Sequence, residues 1–152
     1  MFTLEQRKTA KIQELLVSGV SVLAERSPLS LLYTELAFER LAYTTDVGAL
    51  RQELEKLVTA GKILLPDHHI ILHTPASLAQ QRIASRPGTT SPVFADLLVL
   101  ETLSETLYDV LDDTQGIETG SIVKLDNQAS DSLETVVAAT TDVVRKLLLQ
   151  TR

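Results

Sequence analysis

The chain has 152 residues, a mass of 16.7 kDa and a formal net charge of −6, with 14 Lys+Arg against 20 Asp+Glu. That length holds one ordinary domain or two small modules, and 44% apolar residues are enough for a core, built mostly from Leu, Val, Ile and Ala because aromatics are only 4%. The absence of Cys excludes a disulfide scaffold, a thiolate metal site and a cysteine nucleophile, and the acidic balance argues against a general polyanion binder.

Residues 3–25 read as a helix. Thr3 can cap its start with Gln6 three places on. Ile12, Leu15, Leu16, Gly19, Val20 and Leu23 make one apolar face at the helical period. Ser27-Pro28 ends it, because Pro restricts the residue before it and donates no hydrogen bond. A second helix is predicted from Ser30 to Ala42. Asp46 is a good N-cap for a third, Val47 to Ala60, with the stripe Leu50, Leu54, Leu57 and Val58. Gly61 sits where a helix stops in a left-handed cap. Ile63-Leu64-Leu65 and Ile70-Ile71-Leu72, around Pro66-Asp67-His68-His69, predict a β-hairpin.

The stretch from Ser85 to Pro92 is rich in turn signals. It divides the expected organisation into a domain over 1–75, a linker over 76–92 and a helical assembly region over 93–152. Charge divides with it: residues 1–75 hold 8 Lys+Arg against 9 Asp+Glu, and residues 76–152 hold 6 against 11. Ser91-Pro92 starts a helix to about Leu111, whose broad apolar face includes Phe94, Leu97, Leu98, Leu100, Leu103, Leu107, Val110 and Leu111. A connector over 112–129, with Gly116 and Gly120, contains a short strand at 121–125. Ser130 or Asp131 caps a last helix to about Gln150. Its stripe is Leu133, Val136, Val137, Thr140, Val143, Val144, Leu147 and Leu148, and positions 133, 136, 140, 143 and 147 alternate steps of three and four, as along a coiled-coil seam. The fold class expected is mainly α with a small β-hairpin.

The order helix, helix, helix, hairpin carries a resemblance. In the run from Leu50 to Ile63, a Leu stripe is followed by Gly four residues after its last Leu and by an apolar residue two further on. This resembles the third helix and first wing strand of the winged-helix (winged helix-turn-helix) superfamily, over about residues 3–74. The resemblance implies a third helix packed on the first two and a strand covering the core. Small winged-helix proteins often carry extra helices for dimerisation. The second helix departs from the apolar register usual in the DNA-reading members.

A reading helix would present Val47, Gly48, Ala49, Arg51 and Gln52 to base edges, and only Arg51 and Gln52 have suitable chemistry. Candidate DNA contacts are therefore Arg7, Lys8, Lys11, Arg51, Gln52 and Lys62. Glu53 and Glu55 would repel phosphate, and this is a small basic set for a term that dominates affinity. His68, His69 and His73 lie in or beside the hairpin, with Asp67 nearby. His69 and His73 share a strand face but stand about 13 Å apart, too far for one ion. No nucleophile elbow, P-loop, dinucleotide fingerprint or H-E-x-x-H motif occurs. The expectation is a non-enzyme with no cofactor and no metal.

Met1 to Lys8 lacks the basic, apolar, small-residue order of a secretory leader. No apolar run approaches the roughly 18 residues of a membrane span, so a cytoplasmic protein that does not enter membranes is expected. Two long amphipathic helices have too much apolar area to stay exposed. The candidate assembly interface is Leu97, Leu100, Leu103, Leu107, Leu133, Val136, Val143 and Leu147. The function expected is an adaptor that binds itself, as a homo-oligomer, or a larger protein complex. The alternative is a dimeric DNA-binding transcription regulator.

Overall fold

The computed structural model describes residues 2–86, 88, 91–112, 121–128 and 130–150, with the backbone alone at positions 112 and 150. Among these residues the order is α1 (Thr3–Val17), α2 (Leu29–Arg40), α3 (Val47–Thr59), β1 (His68–His73), α4 (Ala76–Ser85), α5 (Leu97–Asp112), β2 (Ser121–Asp126) and α6 (Leu133–Gln150). A 3-10 turn, Pro92–Ala95, precedes α5. The chain is mainly α with a small β element, as its apolar periodicity predicts.

The first three helices end in the same way. After α1, the Gly19 N–H donates to Leu16 O and the Val20 N–H to Leu15 O, with Gly19 at φ +78°. After α3, Gly61 and Lys62 repeat the pattern onto Val58 and Leu57, with Gly61 at φ +65°. These paired bonds satisfy carbonyls that the helix itself leaves open. Ala42 occupies the same place after α2 at φ +63°, a conformation costly for any side chain. Gly19 also explains why α1 stops at Val17 rather than near residue 25. The apolar residues Leu16, Val20 and Leu23 are left exposed. The capping box expected at Thr3 does not form, since Thr3 is already helical and Phe2 takes the N-cap position. At α3 the expected cap is present: the Ala49 N–H donates to Asp46 Oδ1 at 2.9 Å.

The expected hairpin is corrected. β1 pairs with β2 in parallel, in the register His68 with Ser121, Ile71 with Lys124 and His73 with Asp126. Parallel neighbours need a long crossover, which here contains α4 and α5. Residues 63–65 form no strand. The Leu64 N–H donates to Thr9 Oγ1 at 3.1 Å, Ile63 is buried in the core, and Pro66 has no N–H to offer a ladder.

The stretch 76–92 is not simply a linker, because it contains α4. Nor do the two halves have separate cores. One buried cluster joins Phe2, Leu29, Leu32, Leu50, Leu54, Ile63 and Ile71 with Leu111 of α5, and Leu107, Tyr108 and Val110 pack against it. α5 lies along α2. Thr106 of α5 is fully buried, its hydroxyl 2.8 Å from Thr102 O one turn back on its own helix and 3.1 Å from Tyr33 O of α2. Near the surface, Arg40 of α2 pairs with Asp109 of α5 at 2.6 Å.

The remaining caps differ slightly from those read in the sequence. Ser91 makes no side-chain cap bond, and Asp96 Oδ1 accepts from the Leu98 N–H at the start of α5. Ser132, not Ser130 or Asp131, caps α6, its hydroxyl accepting from the Thr135 N–H at 3.2 Å. Half of the expected connector, 113–120 and 129, lies outside the described residues.

Candidate functional site

Among the six candidate DNA contacts, three have carboxylate neighbours on their own helix. Lys8 pairs with Glu5 at 2.9 Å, Lys11 with Glu14 at 2.8 Å and Arg51 with Glu55 at 3.4 Å. Each pairing cancels positive potential that phosphate would otherwise meet. Arg7, Gln52 and Lys62 are exposed. The six are also spread out. Gln13 Nε2 reaches Gly61 O at 3.3 Å, so α1 sits beside the exit of α3, whereas Arg51 lies about 15 Å back along that helix. One depression along α3 is lined by Glu35, Asp46, Ala49, Leu50 and Glu53, an acidic wall beside the would-be reading face.

The strand pair brings together side chains that are distant in sequence. His68 Nδ1 lies 2.6 Å from Ser121 Oγ, and His73 Nδ1 lies 3.1 Å from Asp126 Oδ1. Lys124 Nζ stands 3.3 Å from the same carboxylate and 5.4 Å from the centre of the Tyr108 ring, a cation–π approach from β2 to α5. The Lys124 hydrogen bond, with a smaller contribution from His73, holds the Asp126 carboxyl below its ordinary range. Desolvation lowers the pKa of His69. Its Nε2, the His68 Nε2 and the Tyr108 hydroxyl are shielded from solvent and have no hydrogen-bond partner among the described residues. His69 and His73 share a strand face, as the alternation predicts. No group of three or more metal-ligating side chains forms among the described residues. Nothing local in the sequence points to the His73–Asp126 contact, because the strand pairing that creates it spans 53 positions.

The candidate assembly residues divide between two helices. On α5, Leu107 packs against the core, so it is a core contact rather than an assembly contact. Leu100 and Leu103 are half-buried, and Leu97 lies at the exposure margin. On α6, no described side chain is buried. Val136, Thr140, Val143, Val144 and Leu147 are half-covered, and α6 rests against β2. Beside them runs an exposed edge, with Leu133 at 75%, Val137 at 54% and Leu148 at 43% exposure. Apart from Leu133, the sequence seam thus marks the side of α6 that turns toward its own chain. The more exposed side lies one helix position round.

The site with the most unsatisfied chemistry is therefore apolar: a long terminal helix on a mainly helical body, with half of its apolar face in water. No helix among the described residues is long and apolar enough to cross a membrane. Compared with protein families, with curated proteins and with solved structures, the chain matches none.

Proposed function

We propose that this chain is a non-enzymatic, cytoplasmic adaptor with a three-helix N-terminal part that lacks the expected wing hairpin, which assembles with itself or with a larger protein complex through its C-terminal helix. The observation that carries this reading is α6: an 18-residue amphipathic helix with no buried side chain among those described. Exposed apolar surface of this kind gains free energy when another surface covers it. The self-neutralised basic residues and the acidic wall beside α3 favour this reading over that of a DNA-binding regulator.

The test is the mass of the intact species, measured for the purified chain and for the chain recovered from native lysate. The reading expects a multiple of 16.7 kDa or a larger complex. Val137→Asp, on the exposed edge of α6, should release the partner while helices α1–α3 stay folded, since an unpaired carboxylate in an apolar contact is costly. A lone chain in both preparations overturns it. Tight, sequence-selective binding to duplex DNA at physiological salt, relaxed by Arg51→Ala, would favour the regulator instead.

A further inference from the structure

We infer that the exposed edge of α6 is a self-recognition surface that pairs with the α6 of a second copy of this chain in antiparallel orientation, about a two-fold axis between Thr140 and Thr141. The inference rests on the assembly reading above and gives it a partner and a geometry.

The first support is the order of side chains. At 100° per residue, Leu133, Val137, Thr141, Val144 and Leu148 fall within an arc of about 80°. Its four aliphatic residues are arranged symmetrically, with Val144 half-covered: Leu133 and Leu148 are equidistant from the midpoint between positions 140 and 141, and so are Val137 and Val144. An isologous two-fold contact needs such a surface, in which each residue meets its counterpart from the other direction. An antiparallel pair sets Leu133 level with the partner copy's Leu148 and Val137 level with its Val144. The two threonines at the centre do not oppose this. Thr140 donates its hydroxyl to Val136 O and Thr141 donates to Val137 O, each at 2.8 Å. With the hydroxyls tied back within the helix, the centre needs no polar partner across the contact.

The second support is charge. Glu134 and Arg145 lie on the same flank of this edge, both just beyond Thr141 on the helical wheel. In an antiparallel pair, like flanks face each other. Glu134 then stands within about 3 Å along the axis of the second copy's Arg145, and the pair occurs twice by symmetry. A parallel pair would instead turn this charged flank toward the half-covered side carrying Val136, Val143 and Leu147, so that Arg145 would keep only its exposed 3.8 Å pairing with Asp142 of its own helix and gain no partner across the contact. The edge is about 23 Å long. Two such helices cover less than the roughly 1,200 Å² of a standard interface, so a reversible dimer with a dissociation constant of micromolar order is expected.

Cysteine pairing tests the geometry directly, because the chain has no Cys of its own. Single variants Thr141→Cys, Leu133→Cys and Leu148→Cys are oxidised mildly in the otherwise intact protein, with Glu101→Cys, on the exposed face of α5, as the collision control. The expected result is efficient self-linking of Thr141→Cys, little of Leu133→Cys alone, and efficient linking in a mixture of Leu133→Cys with Leu148→Cys. Val137→Asp should raise the dissociation constant at least tenfold in sedimentation. Glu134→Arg and Arg145→Glu should each weaken the dimer, and the double variant should restore it. Self-linking of Leu133→Cys equal to that of Thr141→Cys means a parallel pair and overturns this inference while leaving the assembly reading intact. Linking of Thr141→Cys no better than the control also overturns it. The assembly reading then survives only if native lysate yields a larger complex that Val137→Asp dissolves.

Discussion

α5 and α6 are similar in sequence and different in structure. Both are amphipathic, both are rich in Leu and Val, and both are expected to serve assembly. α5 lies along α2, contributes Leu111 to the core and buries Thr106 completely, while α6 rests against β2 with no described side chain buried. The comparison shows what amphipathicity establishes. A stripe of Leu and Val says that a face is to be covered. What covers it depends on where the rest of the chain sends the helix. α5 is held on the body by neighbours on both sides of it in sequence, since it lies within the crossover between β1 and β2. α6 follows β2, and no later element among the described residues returns to cover it.

The sharpest way to break this contrast is to truncate one leucine on each helix. Leu111→Ala should cost about 2–5 kcal/mol, the range for a buried leucine that leaves a cavity. Leu133→Ala, measured in dilute protein, should stay within about 0.5 kcal/mol, as at surface positions. Denaturant unfolding of both variants gives the two values, and equal costs would erase the distinction between the helices.

A smaller effect sharpens the α5 side. Thr106→Val keeps the shape and removes a hydroxyl shared between Thr102 O of its own helix and Tyr33 O of α2. It should cost about 1 kcal/mol, the usual net contribution of one hydrogen bond. No loss in thermal unfolding would mean that α5 is held to α2 by apolar packing alone. Helix termination offers a gain of similar size. Ala42→Gly relieves a left-handed residue that already makes the bonds of a glycine cap, through the Ala42 and Tyr43 N–H groups. It should stabilise by about 0.5–1 kcal/mol after the greater freedom of unfolded glycine is counted.

The strand pair that precedes α6 should show a shallow pH dependence. Burial holds the pKa of His69 below its ordinary 6.5. Between that value and the lowered folded one, the unfolded chain takes up a proton that the native chain refuses. Stability is therefore full above the ordinary value and falls as the pH drops through this window. Asp126 is lowered from 3.8, so its contribution is lost only in more acidic solution and does not overlap. Urea titrations between pH 7.5 and about pH 5 should give a slope that His69→Leu removes.

Local signals in the sequence were sufficient for most of the helices. Asp46 caps α3, Gly61 ends it, and its stripe is buried at Leu50 and Leu54, with Leu57 and Val58 packed against the core. These features depend on residues within a turn of one another. The hairpin reading failed because strand partnership is not local. Ile70-Ile71-Leu72 reads the same whether it pairs with residues 63–65 or with Ser121–Asp126. The choice turned on Thr9 taking the Leu64 N–H and on Ile63 being buried. The same limit applies to the candidate interface. Periodicity marked the apolar arc of α6 correctly, but the division of that arc into a half-covered side and an exposed side follows from the position of β2, which no pattern within α6 records.

The most direct test is amide hydrogen exchange of α5 and α6, followed as the concentration of the full chain rises. In dilute solution, where the protein sediments as a single 16.7 kDa chain, α6 should exchange far faster than α5, because local opening of a helix without buried side chains exposes little apolar surface. With rising concentration the protection of α6 should climb while that of α5 stays constant. Equal protection of α6 and α5 in the dilute monomer would contradict the central claim, because α6 would then already be covered within one chain.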